Sequence, residues 1–212
     1  MGLANDARFW DRASRKYAEG AVGDPAGYER TLERTRALLG PRDNVLELGC
    51  GTGTTALRLA PGVQSYLATD ISAGMIAIAR EKHEGVRGAK LVFQVATAEM
   101  LAPDTAQFGA VLAFNYLHLV RELPQTLGRI HTLLGEKGLF ISKTPCLGDM
   151  NPLIRLALLP AMRAIGKAPY AGSFRANELN RLIARAGFDI LAIEDHATRS
   201  GENRPYIVAR KS

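Results

Sequence analysis

The sequence predicts an α/β domain: a mostly parallel sheet, doubly wound, with helices on both faces. Three observations predict it. Short apolar runs alternate with helical patterns along the chain, the first such run opens into the glycine-rich turn Gly49-Cys50-Gly51-Thr52-Gly53, and the second ends on Asp70. In sheets of this kind ligands sit at the carboxyl ends of the strands, here near the switch between the first and fourth strands.

The elements follow in order. Phe9, Trp10, Ala13 and Tyr17 lie at helical spacing with Arg8, Arg12, Arg15 and Lys16 between them, which predicts a basic amphipathic helix over about 6–20. Asn44–Leu48 is a short apolar strand, and Thr54–Leu59 starts a helix after the turn. Gln64–Thr69 reads as the second strand, and Ser72 caps a helix running through Lys82. Ala89–Val95 alternates as a third strand, and Ala110–Phe114 is a fourth. A helix from about Leu123 to Leu134 ends near Gly135, and Gly138–Ser142 is the fifth strand. An insertion over about 147–170 follows. A late helix then runs through Leu179, Leu182 and Ile183 to stop at Gly187, and Asp189–Glu194 and Arg204–Arg210 close the chain as strands.

At 212 residues and 47% hydrophobic content, the sequence suits one domain spanning 1–212. Cys50 and Cys146 form neither a metal pattern nor a disulfide framework. No segment reads as a signal peptide or a membrane span, so a cytoplasmic location is expected. The net charge of +6 is scattered without aromatic-basic interleaving, so no nucleic-acid partner is expected.

The glycine run carries the chemistry. Its pattern is Glu-x-Gly-x-Gly-x-Gly, whereas the dinucleotide fingerprint is Gly-x-Gly-x-x-Gly, whose third glycine would fall where this chain has Thr54. A carboxylate at the strand end, Glu47, repels a pyrophosphate and attracts a cation, which argues against nicotinamide-dependent oxidoreduction. Asp70, at the next strand's carboxyl end, is placed to accept from two vicinal hydroxyls. A non-catalytic cofactor-binding protein is a remote alternative that only turnover separates from an enzyme.

These residues resemble motif I of class I S-adenosylmethionine-dependent methyltransferases. The resemblance runs from about Leu32 to Arg210, including the link Ala186-Gly187-Phe188 and the closing hairpin, and is specific at the glycine loop. It implies a Rossmann-like sheet of seven strands with an antiparallel last strand. It also implies S-adenosylmethionine as cofactor, with Glu47 at the methionine moiety, Gly49, Cys50, Gly51 and Gly53 in the loop, and Asp70 and Ile71 at the ribose. Where the family often has an acid before Ala-Glu at the adenine amine, this chain has Thr97-Ala98-Glu99, and a neutral hydroxyl accepts more weakly than a carboxylate. Asn115 follows the fourth strand, where the family flanks the cofactor. His118 is the candidate general base. A family tyrosine near the position of Tyr17 lies close to the methionine end, beneath a closing N-terminal helix.

The preferred reaction is in-line attack on the sulfonium methyl by a nitrogen, oxygen or sulfur of a small acceptor. Met150–Ile165 carries a broad apolar face with Arg155 and Arg163, which suggests a lid over the site and an apolar or amphiphilic acceptor; simple core or dimer packing is the alternative. Lys143, Thr144, Pro145 and Asn151 are expected at the same mouth. The runner-up places the enzyme on an anionic membrane surface, methylating a lipid head group such as phosphatidylethanolamine or a quinone precursor. The oligomeric state is not legible.

Overall fold

The computed structural model describes residues 2–84, 90–102, 107–149, 162, 168–198 and 203–212. Seven strands form one sheet: β1 (Asn44–Leu48), β2 (Ser65–Asp70), β3 (Leu91–Val95), β4 (Phe108–Phe114), β5 (Leu134–Lys143), β6 (Phe188–Glu194) and β7 (Tyr206–Lys211). Their order across the sheet is β3-β2-β1-β4-β5-β7-β6. The pairs from β3 to β5 are parallel, and β7 runs antiparallel to both β5 and β6. The expected Rossmann-like architecture is therefore the observed one. Strand order reverses at β1 and β4, so the crevice between their carboxyl ends is where a ligand would sit.

Six helices are described: α1 (Leu3–Glu19), α2 (Pro25–Leu38), α3 (Thr54–Leu59), α4 (Ala73–His83), α5 (Leu123–Leu133) and α6 (Ala176–Arg185). The pleat divides the core between the two faces. Leu46, Leu48, Val111 and Phe140 pack with Leu127 and Ile130 of α5 and Ile183 of α6, while Val45, Leu112 and Ile141 pack with Leu32 of α2, Ala56 of α3 and Ile76 of α4. Alternation along β1 therefore places Glu47 on the face of Val45, beside Tyr66.

Three features differ from the sequence reading. Helix α2 was not foreseen, although Asp24 caps it by accepting from the Gly27 amide at 3.0 Å and Pro25 opens it, a recognisable start signal. Strand β5 begins four residues before Gly138, because Leu134, fully buried, pairs with Phe108; the register then shifts so that Leu139 pairs with Ala110. Thr144 is buried away from the mouth while its neighbours Lys143 and Pro145 face it. Of the expected insertion, Met150–Ala161 and 163–167 lie outside the described residues, as do Asn151, Arg155 and Arg163. No helix among the described residues is long and apolar enough to cross a membrane.

Candidate active site

A cavity of about 1290 Å³ opens at the carboxyl ends of the parallel strands. Tyr17, Glu47, Gly49, Cys50, Gly51, Asp70, Ile71, Thr97, Glu99, Asn115 and His118 all line it. Gly53 and Ala98 do not. Gly53 caps α3 with its backbone left-handed, and an added Cβ there would meet Phe93 at 2.8 Å, so its part is to let the loop pack. Ala98 is fully buried behind Thr97.

Glu47 sits on the cavity floor at 2% exposure and accepts a hydrogen bond from the Tyr66 hydroxyl at 2.8 Å. Burial pushes its carboxyl up to about 7; the Tyr66 bond opposes that rise, and the charge of Asp70 adds to it. Asp70 accepts from the amides of Gly51 and Ser72, each at 2.9 Å. Its carboxyl is also raised, by burial first, with those two amides pulling it down. Two desolvated carboxylates within reach of one cavity make a strong site for a cation.

The glycine loop brings its backbone close to its neighbours. Gly49 has φ 70°, and a Cβ on it would fall 2.6 Å from Cδ2 of Tyr116; Gly51 has φ 54° and faces the Tyr17 ring. The Cys50 thiol is raised strongly by burial, which disfavours its reactive thiolate form. Asn115 also has a positive φ of 52°, its amide donating to the Lys143 carbonyl at 2.7 Å, which turns the chain sharply at the end of β4. Thr97 lies on the wall. Glu99 is exposed at the rim and bound by the Thr126 hydroxyl of α5.

Helix α1 lies across the cavity. The Asp11 carboxylate accepts from the Ser72 hydroxyl at 2.7 Å and the Gly74 amide at 2.9 Å, where the α4 N-terminus favours negative charge. Asp6 makes a bidentate pair with Arg121, both contacts at 2.9 Å, and Arg121 in turn stacks over Tyr170 at 4.4 Å. Tyr17 is 53% exposed overall. It lines the cavity, and its phenol is raised by burial and by Asp70, with Arg204 opposing the rise.

His118 presents a neutral imidazole. Burial and the charge of Arg204 hold it down at about 4, and its buried Nδ1 has no hydrogen-bond partner among the described residues. The Gly172 amide donates to its carbonyl at 2.6 Å, tying the 168–174 segment to the turn after β4. Tyr116, expected with Asn115 and His118 after the fourth strand, packs on Gly49 at the cavity wall. The sequence reading missed two participants. Tyr66 reaches Glu47 only through strand pairing, and Arg204 reaches the cavity from the residues before β7.

S-adenosylmethionine carries an ammonium, a sulfonium and a ribose diol. Buried Glu47, half-buried Asp70 and the open glycine cradle suit those groups. Residues 45–138 match the family model described as a methyltransferase domain. A Geobacillus sp. (strain WCH70) protein named as a methyltransferase is 38% identical over 103 residues, covering 46% of this chain and 40% of that protein. The chain thus spans less than half of that relative, and 5% of the length of a highly reducing polyketide synthase that it also matches. Among solved structures, the CcbJ methyltransferase of Streptomyces caelestis has a TM-score of 0.75 at 20% identity, over 98% of this chain and 99% of that one. The magnesium protoporphyrin IX methyltransferase of Synechocystis PCC 6803, solved with bound S-adenosylmethionine, has a TM-score of 0.70 at 19% identity, over 98% and 93%. These two likenesses carry the fold, and the family match carries the glycine loop and both acids. Residues 45–138 thus match a methyltransferase domain, carried on the fold of solved methyltransferases.

Proposed function

We propose that the chain methylates a nitrogen, oxygen or sulfur of a small amphiphilic acceptor. The observation that carries this is the cavity itself. At about 1290 Å³ it exceeds the ~300–1,000 Å³ of a single small-molecule site and has room for a cofactor and an acceptor together. The bound cofactor supplies a methyl group on a positively charged sulfur.

The chain's own residues supply placement. Glu47 binds the ammonium, Asp70 accepts from the ribose hydroxyls with Ile71 beside it, and Gly49, Cys50 and Gly51 present backbone, with Gly53 fixing the loop behind them. Thr97, the Ala98 backbone and Glu99 meet the adenine, and Asn115 flanks the cofactor at the end of β4. Tyr17 and α1 exclude water from above as a cap helix. His118 takes the proton of a protic acceptor on its imidazole. Its low affinity for protons keeps it unprotonated, and it acts as a weak base whose effect depends on close placement.

A second reading has the acceptor presented by an anionic lipid surface. Leu3 and Val22, 59% and 46% exposed, stand at the cavity rim, with exposed Arg8, Arg12 and Arg15 on the same helix as Leu3. Release of S-adenosylhomocysteine across amine, phenol, thiol and phospholipid acceptors tests both readings. Turnover with soluble amphiphiles supports the first, turnover only on vesicles supports the second, and no turnover on any acceptor contradicts both.

A further inference from the structure

Helix α1 crosses the crevice and is fastened on both sides of it. Asp11 accepts from the Ser72 hydroxyl at 2.7 Å and the Gly74 amide at 2.9 Å, in the chain that follows β2. The Ser72 amide also donates to Asp70 at 2.9 Å, so this attachment adjoins the acid at the end of β2. Asp6 is held by the chain that follows β4: Nε and Nη2 of Arg121 each donate to one of its carboxylate oxygens at 2.9 Å. Strand β1 lies between β2 and β4, so its glycine loop opens between the two attachments.

Polar contacts set the closure because little else does. Among the described residues of α1, Ser14 alone is buried, and an element with so little burial opens at low free-energy cost. Many exposed ion pairs contribute nothing measurable. The pair of Asp6 and Arg121 differs on three counts. Its side chains are only 18% and 31% exposed, the contact is bidentate, and the guanidinium stacks over the Tyr170 ring at 4.4 Å. Two residues beyond Tyr170, the Gly172 amide donates to the His118 carbonyl at 2.6 Å. Arg121 therefore joins α1 and the 168–174 segment at one point, three residues from His118. Trp10 and Tyr17 of α1 line the cavity, and the Tyr17 ring stands by Gly51 of the glycine loop.

We infer that Arg121 is a positioning residue for methyl transfer. Through Asp6 it keeps α1 down over the cofactor, and parting of this ion pair is the step that lets the spent cofactor leave. Asp11 keeps its hold when the pair parts, so α1 swings from the β2 side and the cavity opens first beside β4. This rests on the cofactor site proposed above.

The test is the release rate of S-adenosylhomocysteine. The labelled compound is bound to the full chain and chased with excess unlabelled compound, while Trp10, the one tryptophan of the sequence, reports α1 by its emission. Asp6→Asn and Arg121→Met should each release it about fivefold faster with cooperative melting retained and Trp10 emission moved to the red. Arg121→Lys, which keeps the charge and loses the fork, should fall between them and the wild type. Asp6 also lies in the first turn of α1, where a negative charge favours the helix by itself. The double variant separates the two roles: if the pair acts as a unit, it releases no faster than either single variant, whereas a helix effect adds. Wild-type release in both single variants, or additive acceleration in the double variant, overturns the inference. Failure of S-adenosylhomocysteine to bind the wild-type protein would instead overturn the cofactor site, so the two failures are distinct.

Discussion

The Tyr66 hydroxyl donates to the Glu47 carboxylate at 2.8 Å, and both side chains are closed off from solvent at the floor of the cavity. Because burial pushes the Glu47 carboxyl up to about 7, the unliganded protein holds a proton there below neutrality. A cationic cofactor binds the ionised form, so affinity for S-adenosylmethionine should rise with pH through about 7 and level off above it. Tyr66→Phe removes the bond that favours ionisation and should move that rise to higher pH. Calorimetry on either side of neutrality measures it, and a flat profile would separate Glu47 from the cationic end of the ligand.

Glu47 and His118 should pull stability in opposite directions with pH. Glu47 is raised from 4.5 to about 7, so the folded state keeps its proton while the unfolded chain loses it, and stability falls as pH rises through that window. His118 is lowered from 6.5 to about 4, so the unfolded chain gains a proton that the folded state refuses, and stability falls as pH drops through that window. Denaturant melts of Glu47→Gln should therefore show stability climbing more steeply with pH than wild type. His118→Gln should shift the slope the other way. Identical slopes in all three proteins would contradict both assignments.

Gly49→Ala should be worse than Gly51→Ala. Both place a side chain in left-handed backbone, which costs about 1–2 kcal/mol, but only the first drives a Cβ to within 2.6 Å of the Tyr116 ring. Gly51→Ala meets Tyr17 at an ordinary 3.7 Å. The expected outcome is a stability loss in both and a larger fall in cofactor affinity for Gly49→Ala, read by melts and titration.

Asp11→Ala should loosen α1 without melting the sheet. It deletes two acceptor contacts, to Ser72 and Gly74, and a favourable charge at the α4 N-terminus, worth about 1 kcal/mol together. Amide hydrogen exchange should accelerate over Leu3–Glu19 and stay slow in β1 and β4. Unchanged exchange in α1 would show that its hold on the site lies elsewhere.

Much of this architecture is written locally. The Asn44–Leu48 run, the glycine spacing and the helix after it announce a strand, turn and helix, and Ser72 announces α4, because each signal sits within a few residues of the element it controls. The pair of acids was legible for the same reason. Tyr66 was not, since it faces Glu47 only through the parallel register that sets Glu47 opposite Ala68 and leaves Tyr66 on the same face. Arg204 and Lys143 line one cavity through the β5–β7 pairing, which joins stretches of chain about 60 positions apart and which no local pattern encodes. Helix α2 is the opposite case, its Asp24-Pro25 start being present and unread. Strand β5 was read short because Gly135 and Gly138 look like a turn, while the buried Leu134 already pairs with Phe108.

The central claim is that Glu47 and Asp70 hold the cofactor, and titration of S-adenosylmethionine into the wild type, Glu47→Gln and Asp70→Asn tests it most directly. The account predicts stoichiometric binding by the wild type and an affinity about tenfold or more weaker in each variant, with cooperative melting retained. Wild-type affinity in both variants would contradict it.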